Sequence, residues 1–167
     1  RQAPTLGRRY HGRHDTGHRL LVWGGALLGV AVALFAAVPM LAGPIARGLP
    51  LEWETALGER VADGLVGDQA CEGAAGSAAL RQLTRRLARV ADGPYTYRVR
   101  VVNREAVNAF AAPGGYIVLF DGLLQQAQGP DEVAAVLAHE MAHVRKRHGT
   151  QALVRHAGYR LAATLLL

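Results

Sequence analysis

His139 and His143 stand four positions apart, with Glu140 directly after the first. In a helix this spacing puts both imidazoles on one face, one turn apart, where they can share a tetrahedral cation. A helix is predicted here from its punctuation. Gly129-Pro130-Asp131-Glu132 fits a first turn, because proline is tolerated there and two acids complement the positive helix end. Arg145, Lys146, Arg147 and Gly149 fit its stop. Val133, Val136, Leu137 and Val144 surround the segment with apolar side chains, so two imidazoles and a carboxylate in a buried helix need a reason, which metal ligation supplies. Zn2+ is the expected ion, one per chain, since two neutral imidazoles and a carboxylate in tetrahedral array suit it and leave a position open to water. Such a water has a pKa of about 7. Glu140, next to a ligand but not itself one, is the expected catalytic base, taking the water's proton during attack on a peptide carbonyl and then serving the leaving amine.

His148 is not expected to close the site. Placed on the same helix, it lies roughly 140° around from His143 and 180° from His139, and an imidazole near a helix C-terminus suits the helix dipole. His156, on the next segment, is a weaker candidate ligand. The metzincin extension is absent, since Lys146 and Gly149 stand where a glycine and a histidine would be required.

These residues need a scaffold, and the chain opens with something different. Residues 20–46 contain no charged side chain, and residues 20–38 alone span about 28 Å as a helix, the thickness of a bilayer core. One membrane-spanning helix is therefore expected at residues 20–46; its apolar part is too long for a cleaved signal peptide. Arg1, Arg8, Arg9, Arg13 and Arg19 precede it, which predicts a cytoplasmic flank at residues 1–19 and an extra-cytoplasmic domain at residues 47–167, periplasmic in a bacterial inner membrane. Gly25 and Gly29 form a small-xxx-small pair, weak evidence for helix pairing that leaves the oligomeric state open.

The net charge of +6 is concentrated in that flank, and Arg85, Arg86 and Arg89 lie at helical spacing without interleaved aromatics. A nucleic-acid partner is therefore not expected. The single cysteine, Cys71, excludes an internal disulfide framework.

After a linker at residues 44–50, helical spacing predicts a helix over residues 51–66, and an amphipathic helix runs from Ser77, the expected N-cap, to Val90. Residues 95–102 alternate as a half-buried strand; Pro113-Gly114-Gly115 is a turn; residues 116–120 form a short apolar strand. The expected fold class is α+β, mainly α, with a small sheet packed on helices.

Three stretches carry a family likeness: Asn108-Ala109-Phe110; Pro113-Gly114-Gly115-Tyr116-Ile117-Val118 with Gly122-Leu123-Leu124; and residues 131–148. Together they resemble the membrane-associated zinc metalloendopeptidases that include the CAAX prenyl protease, HtpX and the OMA-type mitochondrial protease. The resemblance implies a zincin-like metalloprotease domain acting on protein or peptide substrates, misfolded or membrane-associated, in protein quality control. It makes the strand at residues 116–120 a candidate substrate-binding edge, with Gly115, Tyr116, Ile117 and Val118 adding to an extended peptide. It also implies a glutamate third ligand, and no Asp or Glu follows Glu140. That ligand is expected beyond Leu167, residues 47–167 being the N-terminal part of the domain. The rival expectation is a non-catalytic, chaperone-like binding protein with a degenerate site.

Overall fold

A long uncharged run satisfies its backbone internally by coiling, and the first described element is one 35-residue helix, α1 (His14–Gly48). The computed structural model describes residues 14–71 and 73–166. Arg1, Arg8, Arg9 and Arg13 of the basic flank, and the third-ligand position expected past Leu167, lie outside the described residues. Pro39 and Pro44 fall inside α1, so the helix continues through the residues read as the start of a linker. Leu20, Trp23, Leu27 and Leu28 on α1 are each about two-thirds exposed. One stripe is covered, passing through Ala31, Leu34, Val38, Ala42 and Ala46 at helical spacing. Its partner is the last helix, α6 (His148–Leu166), which runs antiparallel to it. Phe35 stacks on Tyr159 at 5.8 Å between ring centroids, and Gly158 closes on Val38.

The sheet has three strands, β1 (Arg98–Val102), β2 (Ala109–Ala111) and β3 (Tyr116–Phe120), in the order β1-β3-β2. β3 pairs parallel with β1 and antiparallel with β2. The helix α2 (Leu51–Val66) covers one face and α3 (Ala74–Ala88) with α5 (Pro130–Arg145) the other. β3 feeds both layers by strand alternation. Tyr116 and Val118 join Ala62 and Val66 of α2, while Ile117 and Leu119 join Leu137, Met141 and Val144 of α5 and Leu80, Leu83 and Leu87 of α3. Each fully buried aliphatic side chain here contributes about 1.5–3 kcal/mol. The chain is mainly helical with a small sheet, as the periodicities predict.

The boundaries differ in instructive ways. α3 starts at Ala74 rather than after Ser77, whose N–H already donates to the Gly73 carbonyl at 2.9 Å. β1 starts at Arg98 rather than at residue 95, because Tyr95 is drawn into a polar network described below. A short helix that the sequence did not predict, α4 (Asp121–Gln126), follows β3.

The Pro113–Gly115 turn joins β2 to β3 and is gripped by α2. Gly114 has φ +67, and a Cβ there would lie 2.3 Å from the Thr55 Cα; a Cβ on Gly58 would lie 1.9 Å from the Pro113 carbonyl oxygen. Only glycine fits either position. The grip fixes the sheet edge beside α5.

Candidate active site

α5 begins at Pro130 after Gly129, with Asp131 and Glu132 in its first turn. The Glu132 carboxylate accepts the Gln128 N–H at 2.9 Å, reaching back over the helix start. Val133, Leu137, Met141 and Val144 are buried at i, i+4, i+8 and i+11, which defines the core face. At 100° per residue His139 points about 155° and His143 about 115° away from the middle of that face, and Glu140 about 55°, on the side of His143 nearer the core. His139 is accordingly exposed, and His143 and Glu140 are half-buried. The site is an open surface of a half-buried helix, where the apolar flanks had predicted burial of the whole segment.

His139 Nε2 and His143 Nε2 approach to 3.1 Å. Two nitrogens bound tetrahedrally at 2.0–2.1 Å from one zinc ion would be about 3.3 Å apart, so the pair fits that ion. Among the described residues, no group of three or more His, Cys, Asp or Glu side chains is gathered to hold a metal.

The largest departure from expectation is His148. Its Nδ1 lies 2.9 Å from His143 Nδ1, and the two rings meet edge to face at 4.8 Å between centroids. The angular estimate assumed one continuous helix, but α5 stops at Arg145 and Arg147 takes φ +55, the left-handed region, turning the chain sharply before α6. His148 thus contacts the ring nitrogen of His143 that faces away from His139. It does not join the Nε2 pair, but it is the polar group that can fix the tautomer of His143. Desolvation lowers the His148 pKa below its ordinary value, with His143, Lys146 and Arg155 adding to the effect, so its neutral form, able to accept a hydrogen bond, is favoured. His156 is exposed two turns further along α6.

A polar network holds the corner. Glu54 of α2, 1% exposed, accepts hydrogen bonds from Thr150 Oγ1 and from Tyr95 Oη, the latter at 3.1 Å, and pairs with Arg147 Nε at 3.4 Å. Arg147 Nε also donates to Tyr95 Oη at 3.0 Å. Its guanidinium donates to the carbonyls of Ala46 at 2.6 Å and Leu49 at 3.0 Å, capping the end of α1. Burial, then the Glu54 charge, raises the Tyr95 pKa. The sequence named Arg147 only as part of the stop of α5, and nothing in its spacing singled out Glu54.

Beside the histidines lies a cleft of about 340 Å³ whose walls include Glu140, His143, His148, Phe110, Ala111 and Leu153. The strand in that wall is β2. β3 is central and paired on both sides, and Tyr116, Ile117 and Val118 are buried at 4%, 0% and 0%. A Cβ on Gly115 would already collide with the Thr96 carbonyl. Strand addition expected at Gly115, Tyr116, Ile117 and Val118 therefore has no free edge to use. On β2, Ala112 N donates to Tyr116 O, and Asn108 O accepts from Phe120 N. Alternation leaves the backbone groups of Ala109 and Ala111 facing away from the sheet. A separate groove of about 400 Å³ between α3, α4 and α5 is lined mainly by Leu80, Leu83, Leu124 and Val133, with Arg86 its one charged wall. It assembles no acid, base or nucleophile.

Comparison with known proteins places these features in a family. The model described as Peptidase family M48 matches residues 74–167, more than half of the chain and all of α5 and α6. The mitochondrial metalloendopeptidase OMA1 of Arabidopsis thaliana is 37% identical over 71 residues, 42% of this chain and 15% of that protein. A putative beta-barrel assembly-enhancing protease of Vibrio cholerae is 41% identical over 64 residues, 38% of this chain and 13% of that protein. The OMA1 of Schizosaccharomyces pombe is 42% identical over 55 residues, 33% and 16% respectively. The chain thus spans about one seventh of the length of these curated relatives. On the extent of the family match, the chain belongs to peptidase family M48.

Proposed function

We propose that the chain is the N-terminal part of the catalytic domain of a membrane-anchored zinc metalloendopeptidase with a zincin-like site, in which His139 and His143 hold the ion and Glu140 is the catalytic base. The observation that carries this reading is the 3.1 Å approach of the two Nε2 atoms one turn apart on α5, with His143 and Glu140 both lining the cleft beside β2. The third ligand is proposed to be a glutamate beyond Leu167.

A zinc ion at this pair supplies a Lewis acid for a peptide carbonyl and acidifies the attacking water. Glu140 lines the cleft. Its carboxylate takes one proton from that water as the C–O bond forms, and returns it to the amide nitrogen as the C–N bond breaks. With a zinc ion held at Nε2, His143 would carry its proton on Nδ1 and would donate a hydrogen bond to His148 Nδ1, 2.9 Å away, which would hold the ring in one orientation. An extended substrate backbone adds to β2 through the outward N–H of Ala111, whose carbonyl lies against Gly149 of α6. Recognition through main-chain groups tolerates many sequences, as turnover of misfolded proteins requires. Relatives named as mitochondrial metalloendopeptidase and beta-barrel assembly-enhancing protease support the metalloendopeptidase reading. α1 is the proposed anchor: its uncharged run and outward leucines suit lipid, and the arginines before it favour a cytoplasmic N-terminus with an extra-cytoplasmic cleft.

Glu140→Gln in the complete protein tests the assignment. It keeps the helix and both imidazoles but cannot accept the proton, so metal content stays near wild type while turnover of unfolded protein falls about 10²- to 10⁴-fold. His139→Ala and His143→Ala lose metal and activity together. Near-normal turnover by metal-loaded Glu140→Gln would remove Glu140 from the role of base.

A further inference from the structure

We propose that the C-terminal half of α6 enters the same bilayer as α1, so that the protein meets the membrane as a two-helix hairpin and its histidine cleft is held at a fixed height above the lipid. The inference rests on the reading of α1 as the membrane anchor.

The register of the two helices sets the depth. At the upper end the Arg147 guanidinium donates to the Ala46 carbonyl. Further down, Gly158 packs on Val38 and Tyr159 stacks on Phe35. A hydrocarbon core of about 30 Å takes about 20 helical residues at 1.5 Å each. Counted from Arg19, the last charge before the apolar run, that length ends near Pro39. Val38 therefore lies at the far hydrocarbon boundary, and Gly158, in contact with it, lies at the same level. α6 continues to Leu166, which carries it about 12 Å further, into the leaflet.

The chemistry of that stretch suits lipid. Leu161 to Leu166 carry no charge. The Thr164 hydroxyl donates to the Arg160 carbonyl at 2.9 Å, so the polar side chain in the stretch is satisfied within the helix. Leu161 and Leu165 face outward, 62% and 67% exposed, while Ala162 is buried. The charges stop where the boundary falls: Arg155 and His156 stand above Gly158, and Arg160 is about 3 Å below it, within reach of the headgroups for a long snorkelling side chain. No acid lies on α6, so anionic lipid phosphates complement it. His148 begins α6 ten residues before Gly158, which sets the cleft about 15 Å above the boundary, in reach of polypeptide close to the membrane surface.

Single cysteines at Leu28, Gln151, Leu161 and Leu165, placed in the full chain carrying Cys71→Ser and labelled with an environment-sensitive fluorophore, test the depth. The protein is reconstituted in phosphatidylcholine–phosphatidylglycerol vesicles with brominated acyl chains. Labels at Leu28→Cys and Leu165→Cys should lose fluorescence to a comparable extent, Leu161→Cys less, and Gln151→Cys scarcely at all. If Leu28→Cys is quenched while both Leu161→Cys and Leu165→Cys behave like Gln151→Cys, α6 is covered by protein or water and the inference is overturned with the anchor intact. If Leu28→Cys is itself unquenched, the anchor reading fails and the hairpin with it.

Discussion

Replacing Arg147 separates two energies that meet at the corner between α5 and α6. Its guanidinium neutralises the buried Glu54 carboxylate, which otherwise has only the neutral donors Tyr95 and Thr150, and it caps carbonyls at the end of α1. Removing one partner of a buried ion pair costs about 3–5 kcal/mol. The Arg147 side chain is 19% exposed and Glu54 1%, so solvent screening discounts this little. Opposing it is the backbone: φ +55 costs a non-glycine residue about 1–2 kcal/mol, which glycine does not pay. Arg147→Ala should therefore lose the full 3–5 kcal/mol, about 6–20 °C in melting temperature for a chain this size, and Arg147→Gly should recover about 2–8 °C of that loss. Melting of the detergent-solubilised chain, followed by near-ultraviolet circular dichroism, reads both. A loss below about 2 °C for Arg147→Ala would show that the Glu54 charge is not desolvated. An Arg147→Gly variant no more stable than Arg147→Ala would show that the left-handed corner stores no strain.

Ala111→Pro removes an N–H from the outer edge of β2 while leaving the hydrogen bonds to β3 in place; kcat/KM on unfolded protein should fall about tenfold, the worth of one lost hydrogen bond, with melting nearly unchanged. His148→Leu should weaken zinc binding about tenfold to a hundredfold in a competitive chelator titration, and His148→Asn, which restores an acceptor, should regain part of it. The raised pKa of Tyr95 means that the folded chain keeps a proton the unfolded chain loses above about pH 10. Its stabilisation is complete below that pH and fades as pH rises through the folded value, so the alkaline fall in melting temperature should be shallower in Tyr95→Phe.

Where the chain obeys a strong period, the structure is legible. The boundaries of α2 match the helical spacing of residues 51–66, and the Gly129-Pro130 start of α5 follows from proline and helix-end electrostatics. β2 was not legible, because a three-residue strand has no period to detect. The strand at residues 116–120, made a candidate edge by the family resemblance, is central instead, and a signal for that existed. Tyr116 to Phe120 are apolar without alternation, the mark of a strand buried on both faces, and such a strand belongs in the middle of a sheet. The proposed place of substrate addition moves accordingly from β3 to β2.

The corner at Arg147 was hidden for a different reason. A left-handed residue is legible as glycine, and Gly149 two positions on drew the expected stop to itself, while the arginine that takes that conformation is held by distant partners, Glu54, 93 residues earlier, Tyr95 and the carbonyls at the end of α1. Those long-range contacts decide where His148 lies. Continued as helix, the chain would carry the ring to the opposite side from His139; turned at Arg147, it brings the ring against His143. The buried acid in the first turn of α2, which nothing in the sequence singled out, therefore reaches the proposed ligand His143 through two intermediates, the Arg147 backbone and the His148 ring. The same guanidinium caps the end of α1. Orientation of the proposed ligand His143 and attachment of the proposed anchor thus depend on one side chain, and a perturbation at either should be felt at the other.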